Sequence, residues 1–254
     1  MLKSAIVWAM LVAGMISLPV SAGGKLTKNI RINSQAMGYP IQMRVYIPEG
    51  TKKTDKLPAI YVTDGQWYLK DGEMARILDE TIAAGQIKPV IAVFVDSANP
   101  DDPKDNRRNG EFMCNTDYAL FYKSELVPTI DANFPVSRKP EDRVIMGLSF
   151  GGLNAGCFGL MIPDVFNGIG MQSPASGEHV ALLTNLYTDR EKLPLKMFLS
   201  VGTDNDNTRK ARHLKRLLTK KKYDLTYREV RGGHDWGNWQ PLIDDLLVTF
   251  FGTQ

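Results

Sequence analysis

The stretch Val144-Ile145-Met146-Gly147-Leu148-Ser149-Phe150-Gly151-Gly152 decides how the rest of the chain is read. A β-branched run enters G-L-S-F-G, and small residues suited to a closely packed helix follow. Strand, sharp turn carrying a serine, then helix is the form of a nucleophile elbow. A serine hydroxyl is a weak nucleophile and must be held clear of the chain, where a base can reach it. The turn also aims backbone N–H groups from a helix start, where negative charge is favoured. Gly147 and Gly151 occupy the positions at which a side chain would crowd a strained turn. Chance alone supplies G-x-S-x-G to roughly one chain in ten of this length, so the surrounding sequence must provide the context.

Working outward, strand and helix signals alternate, which predicts an α/β fold with a mostly parallel sheet of about eight strands and helices on both faces. Asn29–Ser34 and Ile41–Ile47 read as an antiparallel hairpin. Leu57–Thr63 is a short apolar strand leading into Asp64-Gly65-Gln66-Trp67. Gly72–Ala84 has helical spacing and stops at Gly85. Val90–Val95 is apolar on both faces, as a central parallel strand would be. Asp96–Thr116 is long, polar and irregular, the kind of loop that is usually functional in a compact domain. Asp117–Asn133 reads as helical despite Pro128. After the elbow, Ser149–Met161 is a helix, Gly168–Gln172 a strand, and Ser173–Leu193 a mixed segment that could cap a pocket. Leu195–Val201 is a strand, Thr208–Lys221 an amphipathic helix, Leu225–Val230 the last strand and Trp239–Phe251 the closing helix.

The start of the chain carries a different signal. Lys3 is followed by an almost wholly apolar run from Ala5 to Ile16, then by Val20-Ser21-Ala22 before Gly23. This is a secretory signal pattern, and the run is short of the ~20 residues a membrane span needs. The expected organisation is a leader at 1–22, cleaved near Ala22, and one domain at 23–254, periplasmic or secreted, with no stable membrane anchor. Cleavage removes one of the 31 basic residues and none of the 28 acidic ones, leaving a net charge of about +2. So small and mixed a charge gives no reason to expect a nucleic-acid partner. The basic set Arg209, Lys210, Arg212, Lys215, Arg216, Lys220, Lys221 and Lys222 falls on the outer face of one helix and reads as a solvated face. Export permits a bond between Cys114 and Cys157. Cys157 falls on the helix after the elbow and Cys114 in a polar loop. Pairing needs Cα atoms within about 7 Å, which sequence does not show, so whether the two pair stays open.

A serine nucleophile needs a base, and the base an orienting acid. Of three histidines, His179 lies in the mixed segment and His213 in a lysine- and arginine-rich helix. His234 directly follows the last strand, at the carboxyl edge where functional groups of a parallel sheet gather. Chain order in this architecture is Ser, acid, His, which directs attention to the loop Gly202-Thr203-Asp204-Asn205-Asp206. Asp206 is the preferred acid and Asp204 the alternative. The two oxyanion donors are expected from the N–H of Phe150, just after the serine, and of Gln66, after the third strand. No metal-ligand spacing, phosphate loop or dinucleotide fingerprint is present, so neither metal nor cofactor is expected.

Taken together, Tyr61-Val62-Thr63-Asp64-Gly65, Arg108 with Glu111-Phe112, Glu125-Leu126-Val127-Pro128, the elbow, Pro163-Asp164-Val165-Phe166, Gly202-Thr203 and Gly233-His234-Asp235-Trp236 resemble the esterase family of α/β-hydrolases. That group includes enterochelin esterases, feruloyl esterase domains, esterase D and the mycolyltransferases. The resemblance spans about Ile41 to Phe250. It implies Ser149 as nucleophile, His234 as base, and the Gln66 and Phe150 amides as the oxyanion hole. It places Arg108 and Glu111 in a segment bordering the pocket, with substrate contact as their implied role. The chain departs from the family at the position three residues after Gly202, where members often carry the acid and this sequence has Asn205. The function expected is hydrolysis of a small-molecule or polysaccharide-linked carboxylic ester. Acyl transfer on the same site and a non-catalytic binding module on the same fold are the competing readings.

Overall fold

The computed structural model describes residues 23–253, and the leader expected at 1–22 lies outside them. Nine strands form one sheet. They are β1 (Lys25–Leu26), β2 (Ile30–Asn33), β3 (Pro40–Ile47), β4 (Ala59–Thr63), β5 (Ile91–Val95), β6 (Arg143–Leu148), β7 (Gly168–Gln172), β8 (Lys196–Gly202) and β9 (Asp224–Val230). The spatial order is β1-β3-β5-β4-β6-β7-β8-β9, with β2 paired to β3. From β5 through β9 the pairing is parallel, while β1, β2 and β5 meet β3 antiparallel. The ninth strand, missing from the sequence-based count, is the two-residue β1, too short to leave a pattern. β5 is interior as expected but parallel on one side only.

Ten helices complete the described chain: α1 (Gly65–Lys70), α2 (Met74–Ala83), α3 (Arg108–Phe112), α4 (Thr116–Phe121), α5 (Val127–Asn133), α6 (Phe150–Met161), α7 (Gly177–Thr188), α8 (Thr208–Lys220), α9 (Trp236–Trp239) and α10 (Ile243–Phe251). The strands of β4, β5, β6 and β7 are buried along their whole length, because helices cover both faces. Alternate residues divide between two cores. Tyr61 and Val93 point into one with Phe112, Tyr122, Phe158 and Leu214. Ile60, Val62 and Phe94 point into the other with Tyr68, Leu78, Trp239 and Leu246. Each such aliphatic or aromatic side chain contributes about 1.5–3 kcal/mol on burial.

Several boundaries differ from the sequence reading for local reasons. The region 116–133 is helical, with a π-helical turn at Tyr122–Leu126 joining α4 to α5 and Pro128 just after it, at the start of α5. The irregular loop contains α3, and the mixed segment contains α7, opened by a reciprocal capping pair between Ser176 and His179. The closing helix is broken by a 3₁₀ turn at Gln240–Leu242, which carries Pro241.

The cysteines answer a question the sequence leaves open. Cys114 and Cys157 form a disulfide, with Cα atoms 5.4 Å apart. It ties the end of the loop after α3 to the middle of α6. Sequence could not supply that proximity, since 43 positions separate the two residues.

Candidate active site

The site is built at the carboxyl ends of β4, β6, β7, β8 and β9. Ser149 joins β6 to α6 with φ 53° and ψ −122°, a strained conformation for a residue with a side chain. Its neighbours hold it there. The Ser149 N–H donates to the Gln172 carbonyl at 2.9 Å, and its own carbonyl accepts from Leu153 at 3.1 Å and Ala175 at 3.0 Å. Gly147 is fixed by contact: a Cβ there would lie 2.2 Å from Thr63 Oγ1 and 2.5 Å from the Gly151 carbonyl carbon. Positive φ recurs at Asp64, Ser173, Ala175 and Asn205, all just beyond strand ends. Strain is therefore concentrated along one edge of the sheet.

His234 lies over the serine. Its Nε2 is 2.9 Å from Ser149 Oγ, and its Nδ1 is 3.0 Å from Asp206 Oδ1. The imidazole is 31% exposed, whereas the Asp206 carboxylate is wholly buried. Trp239 meets the imidazole edge-to-face at 5.0 Å and limits its swing. Asp206 also accepts from Ser173 Oγ at 2.6 Å and from the N–H groups of Gly202 at 2.9 Å and Asn207 at 2.7 Å. Burial pushes this carboxyl up. The bonds from His234, Ser173, Gly202 and Asn207 outweigh it and hold Asp206 below the ordinary carboxylate range. Ser173 is the hub beneath the pair: it donates to Asp206 while accepting from Trp239 Nε1 at 3.0 Å and Asn238 Nδ2 at 3.2 Å.

On the other side of the serine, Gln66 and Phe150 stand in the first turns of α1 and α6. Among the described residues, neither backbone N–H is taken by another group of the chain. The Gln66 side chain is pinned: its Nε2 donates to Ser97 Oγ at 3.0 Å, and its Oε1 accepts from the Ser97 N–H at 3.3 Å. Ser97 Oγ donates in turn to Asp64 at 2.6 Å. Burial pushes the Asp64 carboxyl up, with Arg108 and Ser97 pulling against it. Half-buried Trp67 and Phe150 flank this edge, with the Arg108 guanidinium 5.2 Å from the first ring and 5.7 Å from the second.

The structure thus brings Ser149, His234 and Asp206 together and leaves Asp204 in the exposed turn, bonded to Thr203. His213 is exposed on α8. His179 packs edge-to-face on Phe150 at 5.3 Å while its Nδ1 faces Ser176 Oγ at 2.8 Å. Arg108 pairs with Asp64, its Nε 2.8 and 3.0 Å from the two carboxylate oxygens. Glu111 is buried behind the wall, where Tyr39 donates to it at 3.1 Å. Burial pushes its carboxyl up to about 8, against the lowering influence of Tyr39 and Arg107. Ser173, Asn238, Trp239, Ser97 and Asp64 escaped the sequence reading as site residues. The one available signal was position, since Asp64 and Ser173 each follow the end of an interior strand.

Among the described residues, no group of three or more His, Cys, Asp or Glu could hold a metal, and no helix is long and apolar enough to cross a membrane. Residues 34–250 match the model of the family described as "Putative esterase". The chain is 28% identical to the uncharacterized protein YjcH of Bacillus subtilis (strain 168), over 84% of this chain and 92% of that one. It is 28% identical to the iron(III) enterobactin esterase of Escherichia coli (strain K12), over 80% of this chain but 55% of that one. The chain therefore spans about half the length of the enterobactin esterases it matches. The enterobactin esterase of Shigella flexneri, solved in the presence of enterobactin, superposes with a TM-score of 0.79 at 23% identity, over 91% of this chain and 59% of that one. A ferulic acid esterase of Anaeromyces mucronatus superposes with a TM-score of 0.72 at 17% identity, over 92% and 93%. At these identities the structural likeness speaks for the fold, which is that of the α/β-hydrolases.

Proposed function

The chain belongs to the "Putative esterase" family, and from that premise we propose that it is an exported serine esterase, hydrolysing carboxylic esters through an acyl-enzyme on Ser149. The observation that carries this reading is the continuous chain from Ser149 Oγ to His234 Nε2 at 2.9 Å and from His234 Nδ1 to Asp206 at 3.0 Å. With Nδ1–H donated to the buried carboxylate, Nε2 is left as the acceptor that takes the serine proton. Ser149 Oγ bonds to the ester carbonyl carbon as His234 takes that proton, and negative charge passes to the carbonyl oxygen. The free N–H groups of Gln66 and Phe150 receive this oxyanion, an interaction whose loss typically costs 10²–10³ in rate. Collapse breaks the bond to the alcohol, which leaves with the proton from His234. Water then repeats the sequence on the acyl-enzyme and releases the acid.

For the substrate, Trp67 and Phe150 supply flat apolar walls next to the oxyanion donors, suited to an aromatic acyl group. One structural neighbour points the same way, a ferulic acid esterase. Export is supported by the Lys3, Ala5–Ile16 and Val20-Ser21-Ala22 pattern.

The test is turnover of a panel of aromatic and aliphatic esters by residues 23–254, alongside Ser149→Ala. Ser149→Ala should lose turnover and labelling by a fluorophosphonate probe. A variant that kept the wild-type rate on p-nitrophenyl acetate would overturn the proposal.

A further inference from the structure

We infer that Asp79 is the receiving site for the α-ammonium group that leader cleavage creates at Gly23, so that processing completes the mature fold; the amine arises as the export reading above requires. β1 buries neither of its side chains, and Leu26 is 43% exposed. Burial of apolar surface therefore does not hold the start of the domain on β3. Backbone pairing and polar contacts at the two ends of β1 do. At the inner end, the Thr27 N–H donates to the Val45 carbonyl at 2.9 Å, and the Val45 N–H donates to Thr27 Oγ1 at 3.0 Å. At the outer end, the Gly24 N–H donates at 2.6 Å to Oδ1 of Asp79, on α2. The same oxygen accepts from the Tyr46 hydroxyl of β3 at 2.7 Å. Asp79 thus joins the chain start, β3 and α2.

Asp79 has donors around it but no cation. Arg76, one turn earlier on α2, is committed to Glu73 and Glu80. Among the described residues, no lysine or arginine pairs with Asp79, and its Oδ2 accepts no bond. That oxygen faces Gly23, on which a Cβ would lie 2.4 Å from it. The nitrogen and that Cβ would share one Cα, so the Gly23 nitrogen lies within about 5 Å of Oδ2. At such a separation an opposite charge favours the ionised form of its partner. Space accounts for the paired glycines: a Cβ on Gly23 would run into the carboxylate, and one on Gly24 into the buried Tyr46 ring. With the leader attached, the Gly23 nitrogen is a neutral amide with a single N–H. Cleavage before Gly23 turns it into an ammonium beside a carboxylate that lacks a counter-ion.

The experiment compares chains 23–254 and 21–254, each released from a fusion cut directly before its first residue, with and without Asp79→Asn. Asparagine keeps an acceptor for Gly24 and Tyr46 and removes the charge. The pair is partly exposed, so 23–254 should unfold about 1–3 °C above 21–254. That difference should vanish in the Asp79→Asn background, since a double-mutant cycle isolates the pairwise interaction. A second readout does not depend on stability. Only the uncharged amine reacts with a limiting N-hydroxysuccinimide ester at pH 7, and mass spectrometry of the N-terminal peptide reports its rate. The Gly23 amine should label about three- to tenfold faster in Asp79→Asn than in the wild type. The Ser21 amine of 21–254 should label equally in both. Equal midpoints for 23–254 and 21–254, a difference that survives Asp79→Asn, or Gly23 labelling indifferent to Asp79→Asn overturns the inference. None of these readouts uses ester turnover or export. N-terminal sequencing of the exported full chain tests the export reading separately: a first residue other than Gly23 overturns cleavage after Ala22, and the cycle still decides whether Asp79 holds an ammonium.

Discussion

At the scale of single residues, the site sets a partly exposed imidazole against a buried carboxylate. Asp206 makes its bonds to His234, Ser173, Gly202 and Asn207 with a side chain that solvent does not reach, so its charge is fixed in place rather than screened. Asp206→Asn should keep the fold and lose about 10³–10⁴ in kcat, by analogy with removal of the charge in other Ser-His-Asp enzymes. An amide can offer its N–H to Nδ1 and stabilise the wrong tautomer. Steady-state kinetics with an unchanged circular dichroism spectrum would check it; a loss below tenfold would exclude Asp206 from this role. Glu111 gives a residue-scale prediction about pH. Its carboxyl, pushed to about 8, faces Tyr39, Arg107, Asp64 and Asp105. An acid whose folded value lies above its unfolded value of about 4.3 favours the protein fully below that lower value. That contribution is lost as pH rises toward 8. Glu111→Gln lacks the ionisation, so its stability relative to wild type should improve between pH 5 and pH 9, by an amount on the order of a few kcal/mol. Urea midpoints at the two pH values measure this, and a difference independent of pH would contradict it.

At the scale of elements, what the sequence disclosed depended on length and period. β4 to β7 were legible because unbroken apolar runs between turn residues have few other uses. The elbow was legible because strand, G-L-S-F-G and small-residue helix each agree with the others. α1 and α3 were not, since helices of six and five residues complete too little of a period to show. Asp206 and His234 could be placed on the right loops, but Ser173 beneath them could not, because its partners Asn238 and Trp239 come from α9, 65 and 66 positions away. The disulfide was illegible for the same reason, and it adds a covalent tie between the α3 region and α6. In the chain-entropy account, closing a loop of this length stabilises by about 4 kcal/mol at most. Cys114→Ser/Cys157→Ser should therefore be less stable by about 2–4 kcal/mol in urea. Dithiothreitol should shift the wild-type midpoint and leave the double variant unmoved. A wild-type midpoint indifferent to the reductant would show that the bond does not constrain the unfolded chain.

At the scale of the whole molecule, the leader pattern and the disulfide bear on each other. A disulfide between a loop and the helix that opens at the elbow persists in an oxidising compartment and is rare in a reducing one. The leader pattern lies in residues 1–22 alone, whereas the bond involves residues 114 and 157. The two observations are independent and agree. They predict the state of the protein recovered from a cell that makes the full chain. Fractionation should find it outside the cytoplasm, with Gly23 at its N-terminus and no free thiol. Intact mass should show the loss of residues 1–22 together with two hydrogens, and two maleimide groups should add only after reduction under denaturing conditions. Blocking export, by placing a charge within Ala5–Ile16, should give a product that keeps Met1 and carries both thiols free. Mature enzyme found in the cytoplasm with the leader intact would refute export. Exported enzyme with both thiols free would spare export and refute the coupling of compartment to bond, so the mass spectrum and the fractionation together assign the failure.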